Sequence, residues 1–155
     1  MKVEYNIDMN YTNLAKRYVD SWLSIQKNQL NDYPDEADES REIIENNAIA
    51  GLKLVVELIK LGETIEDTDL KYKWIFYIAA GDLENLIKLH GEVIIDQVVE
   101  EMGNNDLFLI ACTGVWPLGR DINDPVWKAF QVNLAYAIKN NQTVLEILKS
   151  LKYEL

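Results

Sequence analysis

The chain of 155 residues has one cysteine, one histidine and three prolines, and its longest apolar run, Trp74 to Gly81, is eight residues. Each shortage excludes something. A lone Cys112 makes no intramolecular disulfide, so nothing points to an oxidising compartment. One histidine and one cysteine, far apart in the chain, are too few for a zinc site and do not form a nucleophile–base pair. A membrane span needs about 20 apolar residues. The opening MKVEYNIDMN lacks the basic start and apolar centre of a signal peptide. The expectation is a soluble, cytoplasmic protein.

Basic residues are also scarce: 15 Lys and Arg stand against 26 Asp and Glu, for a formal charge of −11. Nucleic acid and anionic lipid repel such a surface, and no local basic patch offsets it. With 48% hydrophobic residues the chain has ample material for a core, and its length suits one domain, 1–155, that needs neither metal nor disulfide. The charge is uneven. Residues 31–106 hold six bases and 19 acids, while residues 1–30 and 107–155 are each within one charge of neutral. Two stretches concentrate it, Asn31 to Glu45 with seven acids and Glu63 to Asp69 with four.

Apolar residues recur three and four apart almost throughout, which predicts an all-α, single-domain bundle of about seven or eight helices with little or no β-structure. The expected helices are Tyr11–Asn28; one from Asp38 or Ser40 to Leu61, halted by Gly62; one from a cap at Thr68 or Asp69 to Gly81; Asp82–His90, ended by Gly91; Glu92–Met102; and Asn105–Thr113. Residues 31–39 read as an acidic loop and 114–124 as an irregular Gly/Pro loop. Asp124-Pro125 opens the last helical region, divided by a Thr143–Glu146 capping box. Strand signals are confined to Lys2–Ile7 and Leu107–Ile110.

No constellation announces a reaction. Glu84 and His90 are six apart, which is not the Glu-x-x-His spacing of a di-iron site, and residues 32–38 lack the glycine turn and terminal Glu of a calcium loop. The seven glycines are scattered rather than gathered into a phosphate cradle, so no metal and no cofactor is expected. His90, at a helix end, suits a capping role on C-terminal carbonyls, and Cys112 suits burial. Trp22 and Trp74 fall on apolar faces, while Trp116 and Trp127 flank the irregular loop and would pack it on the bundle. Tyr33, beside Pro34, has no apolar stripe to join and is the best exposed anchor.

The segment Trp74-Ile75-Phe76-Tyr77-Ile78-Ala79-Ala80-Gly81-Asp82-Leu83-Glu84-Asn85-Leu86-Ile87, then His90-Gly91-Glu92, then Gly114-Val115-Trp116, resembles a bacterial domain family of unknown function. Its signature runs Ala-Ala-Gly-Pro-Leu-Glu-Asp-Leu-Leu, His-Gly, and Val-Trp. Asp82 stands here for the usual proline and Asn85 for the usual aspartate. The resemblance covers about residues 70–130 and implies an all-helical fold and a bacterial source; it carries no activity with it.

Charge distribution therefore leads the functional expectation: an acidic binding protein, concretely an immunity or antitoxin-type inhibitor of a basic toxin, without catalysis. Tyr33, Asp35, Glu36, Asp38, Glu39, Glu42, Glu66 and Asp67 would meet the partner. The alternative is a helical adaptor or regulatory module with a peptide or small-ligand groove near Trp116. An enzyme requires Glu84 and His90 to converge in a cleft.

Overall fold

Asparagine and aspartate side chains set most of the helix starts, because their oxygens accept the amide hydrogens that a first turn leaves unpaired. The computed structural model describes residues 11–116 and 123–151, and among these it has eight α-helices and no strand. They are α1 (Thr12–Lys27), α2 (Glu36–Asn46), α3 (Ala48–Lys60), α4 (Thr68–Ile78), α5 (Glu84–Asn104), α6 (Asp106–Cys112), α7 (Pro125–Lys139) and α8 (Gln142–Ser150). A 3-10 turn, Leu61–Thr64, follows α3, and a π-turn, Ala79–Leu83, joins α4 to α5. The all-α expectation holds.

Several boundaries differ from the sequence reading. The helix expected to run unbroken to Leu61 is two, because Asn47 leaves helical geometry (φ −153°, ψ 116°) and its side chain accepts from the Ala50 amide to start α3. The first of them begins at Glu36, inside the expected 31–39 loop, so Asp38 and Ser40 are helical residues and not caps. Asp67, rather than Thr68 or Asp69, caps α4. Gly81 and Gly91 terminate nothing: helical backbone runs without a break from Thr68 to Asn104, two residues beyond the expected end at Met102. Glycine stops a helix only where the chain turns left-handed beyond it, and here packing keeps the rod going. Asn141, and not Thr143, caps α8 by accepting from the Val144 amide. Leu107–Ile110 is helix, and Lys2–Ile7 lies outside the described residues.

α3 is the central helix: it packs against α1, α2, α4, α5 and α6 and buries Ala50, Leu54, Val55, Leu58 and Ile59. Gly51 is needed there, since a Cβ would lie 3.0 Å from Leu86 Cδ1 and 3.1 Å from Ile44 Cα. In α6 every residue from Leu107 to Cys112 is buried, as an all-round apolar helix must be. Trp22 and Trp74 are core residues, as expected, and join Tyr18 and Tyr77 in a cluster with ring centroids 5.4–6.3 Å apart. The Trp74 indole N–H donates to the Leu58 carbonyl at 2.8 Å, so its polar edge is satisfied inside the core. Among the described residues no helix is long and apolar enough to cross a membrane.

Candidate functional site

A π-turn inserts an extra residue into the helical register and so changes which side chains face inward. Around Ala79–Leu83 three consecutive residues, Asp82, Leu83 and Glu84, are buried. Two of the three are acids, and they serve different neighbours. Glu84, 5% exposed, accepts the Trp116 amide hydrogen at Oε2 (3.1 Å), which pins the chain after α6 to the start of α5. Asp82, 9% exposed, faces α1 and α2.

There its Oδ1 accepts from the Ser40 hydroxyl at 3.2 Å, and the Tyr18 and Tyr77 side chains stand close enough to its charge to be affected by it. Burial pushes the Asp82 carboxyl up to about 6, against the opposing effects of Ser40, Tyr18 and the Arg41 guanidinium. Burial likewise raises Tyr18 and Tyr77, with the Asp82 charge adding to both. These groups border a cleft of about 380 Å³, lined further by Ala37, Arg41, Glu45, Gly81 and Asn85. Gly81 opens it: a Cβ there would meet no atom within 4 Å.

His90 is half-buried in the middle of α5 rather than at a helix end, which corrects the expected position. The expected chemistry is retained on another helix. Its Nε2 lies 2.6 Å from the Ile44 carbonyl oxygen in the last turn of α2, so Nε2 carries the hydrogen and donates to a carbonyl left over by the break at Asn47. Gly91, next to it, is buried, while Ala80 and Gly81 are exposed and Ala79 and Leu83 are core. Glu84 and His90 thus engage different elements and do not share a site.

Of the anticipated contact residues, Asp35, Asp38, Glu39 and Glu42 are exposed on or just before α2, outside its buried face of Ala37, Ser40, Ile43 and Ile44. Glu36 turns partly inward and accepts from the Ser21 hydroxyl at 3.0 Å. Arg17 pairs with Glu39 and Arg41 with Asp38, both at 3.5 Å. Tyr33 is 56% exposed. Glu66 and Asp67 are exposed at the start of α4, which shares no packed interface with α2. The Trp116 side chain does not pack the loop on the bundle: it is 70% exposed, while Trp127 is buried against Phe130. Residues 117–122 of the irregular loop lie outside the described residues. Among the described residues no group of three or more His, Cys, Asp or Glu is placed to hold a metal ion.

The buried acids, Gly81 and His90 all fall within residues 53–137, the span that matches the family of unknown function DUF6869. The chain belongs to this family. The match covers more than half of the chain and includes α4, the π-turn and all of α5, the elements that carry the segment Trp74–Gly91. α1 and α2, which complete the cleft, lie outside it. No curated protein and no solved structure matches the chain.

Sequence reasoning missed Asp82 and Ser40 as site residues. Asp82 reads as a helix-starting residue next to a glycine, and Ser40 as a cap. The available signal was the polar pair within two otherwise well-patterned helices, since an interior Ser and an interior Asp each need a partner when buried.

Proposed function

We propose that this protein is an acidic binding protein that docks on a basic protein, and most concretely an immunity or antitoxin-type inhibitor of a basic toxin. The observation that supports the reading is the solvent face of α2. Asp38, Glu39 and Glu42, preceded by Asp35, stand on one helix whose other face is locked in the core, so their charges are fixed relative to one another before a partner arrives. Pre-positioned charge of one sign accelerates encounter with an oppositely charged surface and disfavours acidic competitors. Tyr33, exposed at the approach to that helix, supplies an aromatic anchor. Glu66 and Asp67 extend the negative field from a separate element.

Co-expression with the product of the adjacent gene, followed by stopped-flow association at increasing salt, tests this reading. The expected result is a complex, protection from toxicity, and an association rate that falls steeply with ionic strength and further in an Asp38→Lys, Glu42→Lys variant. Absence of both complex and protection overturns it. The second reading, a helical module that takes a small ligand, is favoured by the cleft at the π-turn.

A further inference from the structure

The cleft beside Asp82 is built differently from the acidic face. Its volume of about 380 Å³ falls at the small end of the range for small-molecule sites, about 300–1,000 Å³, so it suits a metabolite and not a folded segment of a partner. Its walls hold two carboxylates, Asp82 and Glu45, one guanidinium, Arg41, the amide of Asn85 and the tyrosines Tyr18 and Tyr77. A simple anion would face two carboxylates there. A bare cation would face the Arg41 guanidinium, whose counterpart is Asp38 at 3.5 Å, and would leave the Asn85 amide unused. A molecule bearing both an ammonium and a carboxylate answers every group.

We propose that this cleft binds a small zwitterion of the α-amino acid class, its ammonium directed to Asp82 and Glu45 and its carboxylate to Arg41 and Asn85. The buried carboxylate has capacity for it: a charged carboxylate offers about four acceptor positions, and the Ser40 hydroxyl occupies one at Asp82. Tyr18 and Tyr77 complete the wall and are held in place by their packing against Trp22 and Trp74. Gly81 leaves the approach clear, as a Cβ at that position would meet no neighbour. Asp82 lies within the π-turn and faces α1 and α2, while Glu84, two residues on, holds the Trp116 amide. This site is independent of docking through α2, and its test needs no protein partner, so the two readings fail separately.

The test is titration of the full chain with the free α-amino acids, read by shifts of the Gly81 and Asn85 amide resonances, with butylamine and butyrate as single-charge probes. At least one amino acid is expected to shift both amides, with butylamine and butyrate each about tenfold weaker or worse, since each lacks one charged hydrogen-bonding partner. Gly81→Leu puts a side chain where a Cβ meets no atom within 4 Å and is expected to abolish the Asn85 shift while leaving the melting temperature near that of the parent. Asp82→Asn is expected to abolish both shifts in a protein that still unfolds cooperatively. No response to any amino acid at millimolar concentration overturns the proposal, as does binding that survives Gly81→Leu or a butylamine affinity equal to that of the amino acid.

Discussion

The outer face of α2 and the corner at Ala79–Leu83 treat negative charge in opposite ways. On α2 the carboxylates of Asp38, Glu39 and Glu42 remain in water, two of them beside exposed arginines at 3.5 Å. Such surface pairs contribute about 0–1 kcal/mol each, so the helix tolerates many of them at little cost. At the corner a single carboxylate, Asp82, is removed from solvent and held by the Ser40 hydroxyl. Its carboxyl rises from 3.8 to about 6, which means that keeping it charged at neutral pH costs on the order of 3 kcal/mol. Net charge therefore misdirects attention: the acid with the largest energetic consequence is one residue in a helix, and the conspicuous acidic run is close to neutral for stability. A buried acid retained at such a cost is the pattern expected of a site whose use differs from folding.

The largest effect that separates the two regions is that of Asp82→Asn. A folded-state carboxyl raised above its unfolded value contributes stability below about pH 4 and loses that contribution as pH rises through about 6. The amide cannot ionise, so the variant is expected to exceed the parent by about 2–3 kcal/mol near pH 7.5, and the gap to close as pH falls to about 4. Urea denaturation at several pH values measures it; a variant less stable than the parent at neutral pH breaks the contrast.

Next is His90→Ala, which strands the Ile44 carbonyl at the end of α2 and is expected to cost about 1–2 kcal/mol, with partial recovery in His90→Gln, which retains an N–H donor. Equal losses in both variants would assign the effect to packing alone. The smallest is Glu42→Gln on the exposed face, expected to change stability by no more than about 0.5 kcal/mol while slowing association with a basic partner in low salt. A large loss of stability there would erase the distinction between the two regions.

The all-α fold was legible because helix periodicity is repeated over the whole chain and Asp124-Pro125 and Asn105 are strong start signals. Periodicity also identified Trp22 and Trp74 as core, and Cys112 is buried as its residue type suggests. The boundaries at Asn47, Gly81 and Gly91 were not legible, since capping and glycine are local preferences that neighbouring helices override. Asn46-Asn47 carries a capping signal that the apolar run around it obscures. Gly81 reads as a stop because no sequence rule distinguishes a glycine that turns the chain from one that opens a cleft. His90 was correctly read as a partner for helix-end carbonyls, but which helix end depends on the packing of α5 against α2, a contact between residues 46 apart. For Asp82 the obstacle was similar: its neighbours Ser40 and Tyr18 belong to α2 and α1, and only tertiary structure brings them within reach.

The vacant space in front of Gly81 gives the molecule a practical property. The single cysteine of the chain, Cys112, is wholly enclosed in α6, and its thiol is shifted far toward the protonated form by that burial, which makes it a poor nucleophile. A cysteine placed at position 81 would be exposed, sterically accommodated and the only accessible thiol among the described residues, so a bulky thiol reagent attached there would close the approach to the cleft without competing chemistry elsewhere.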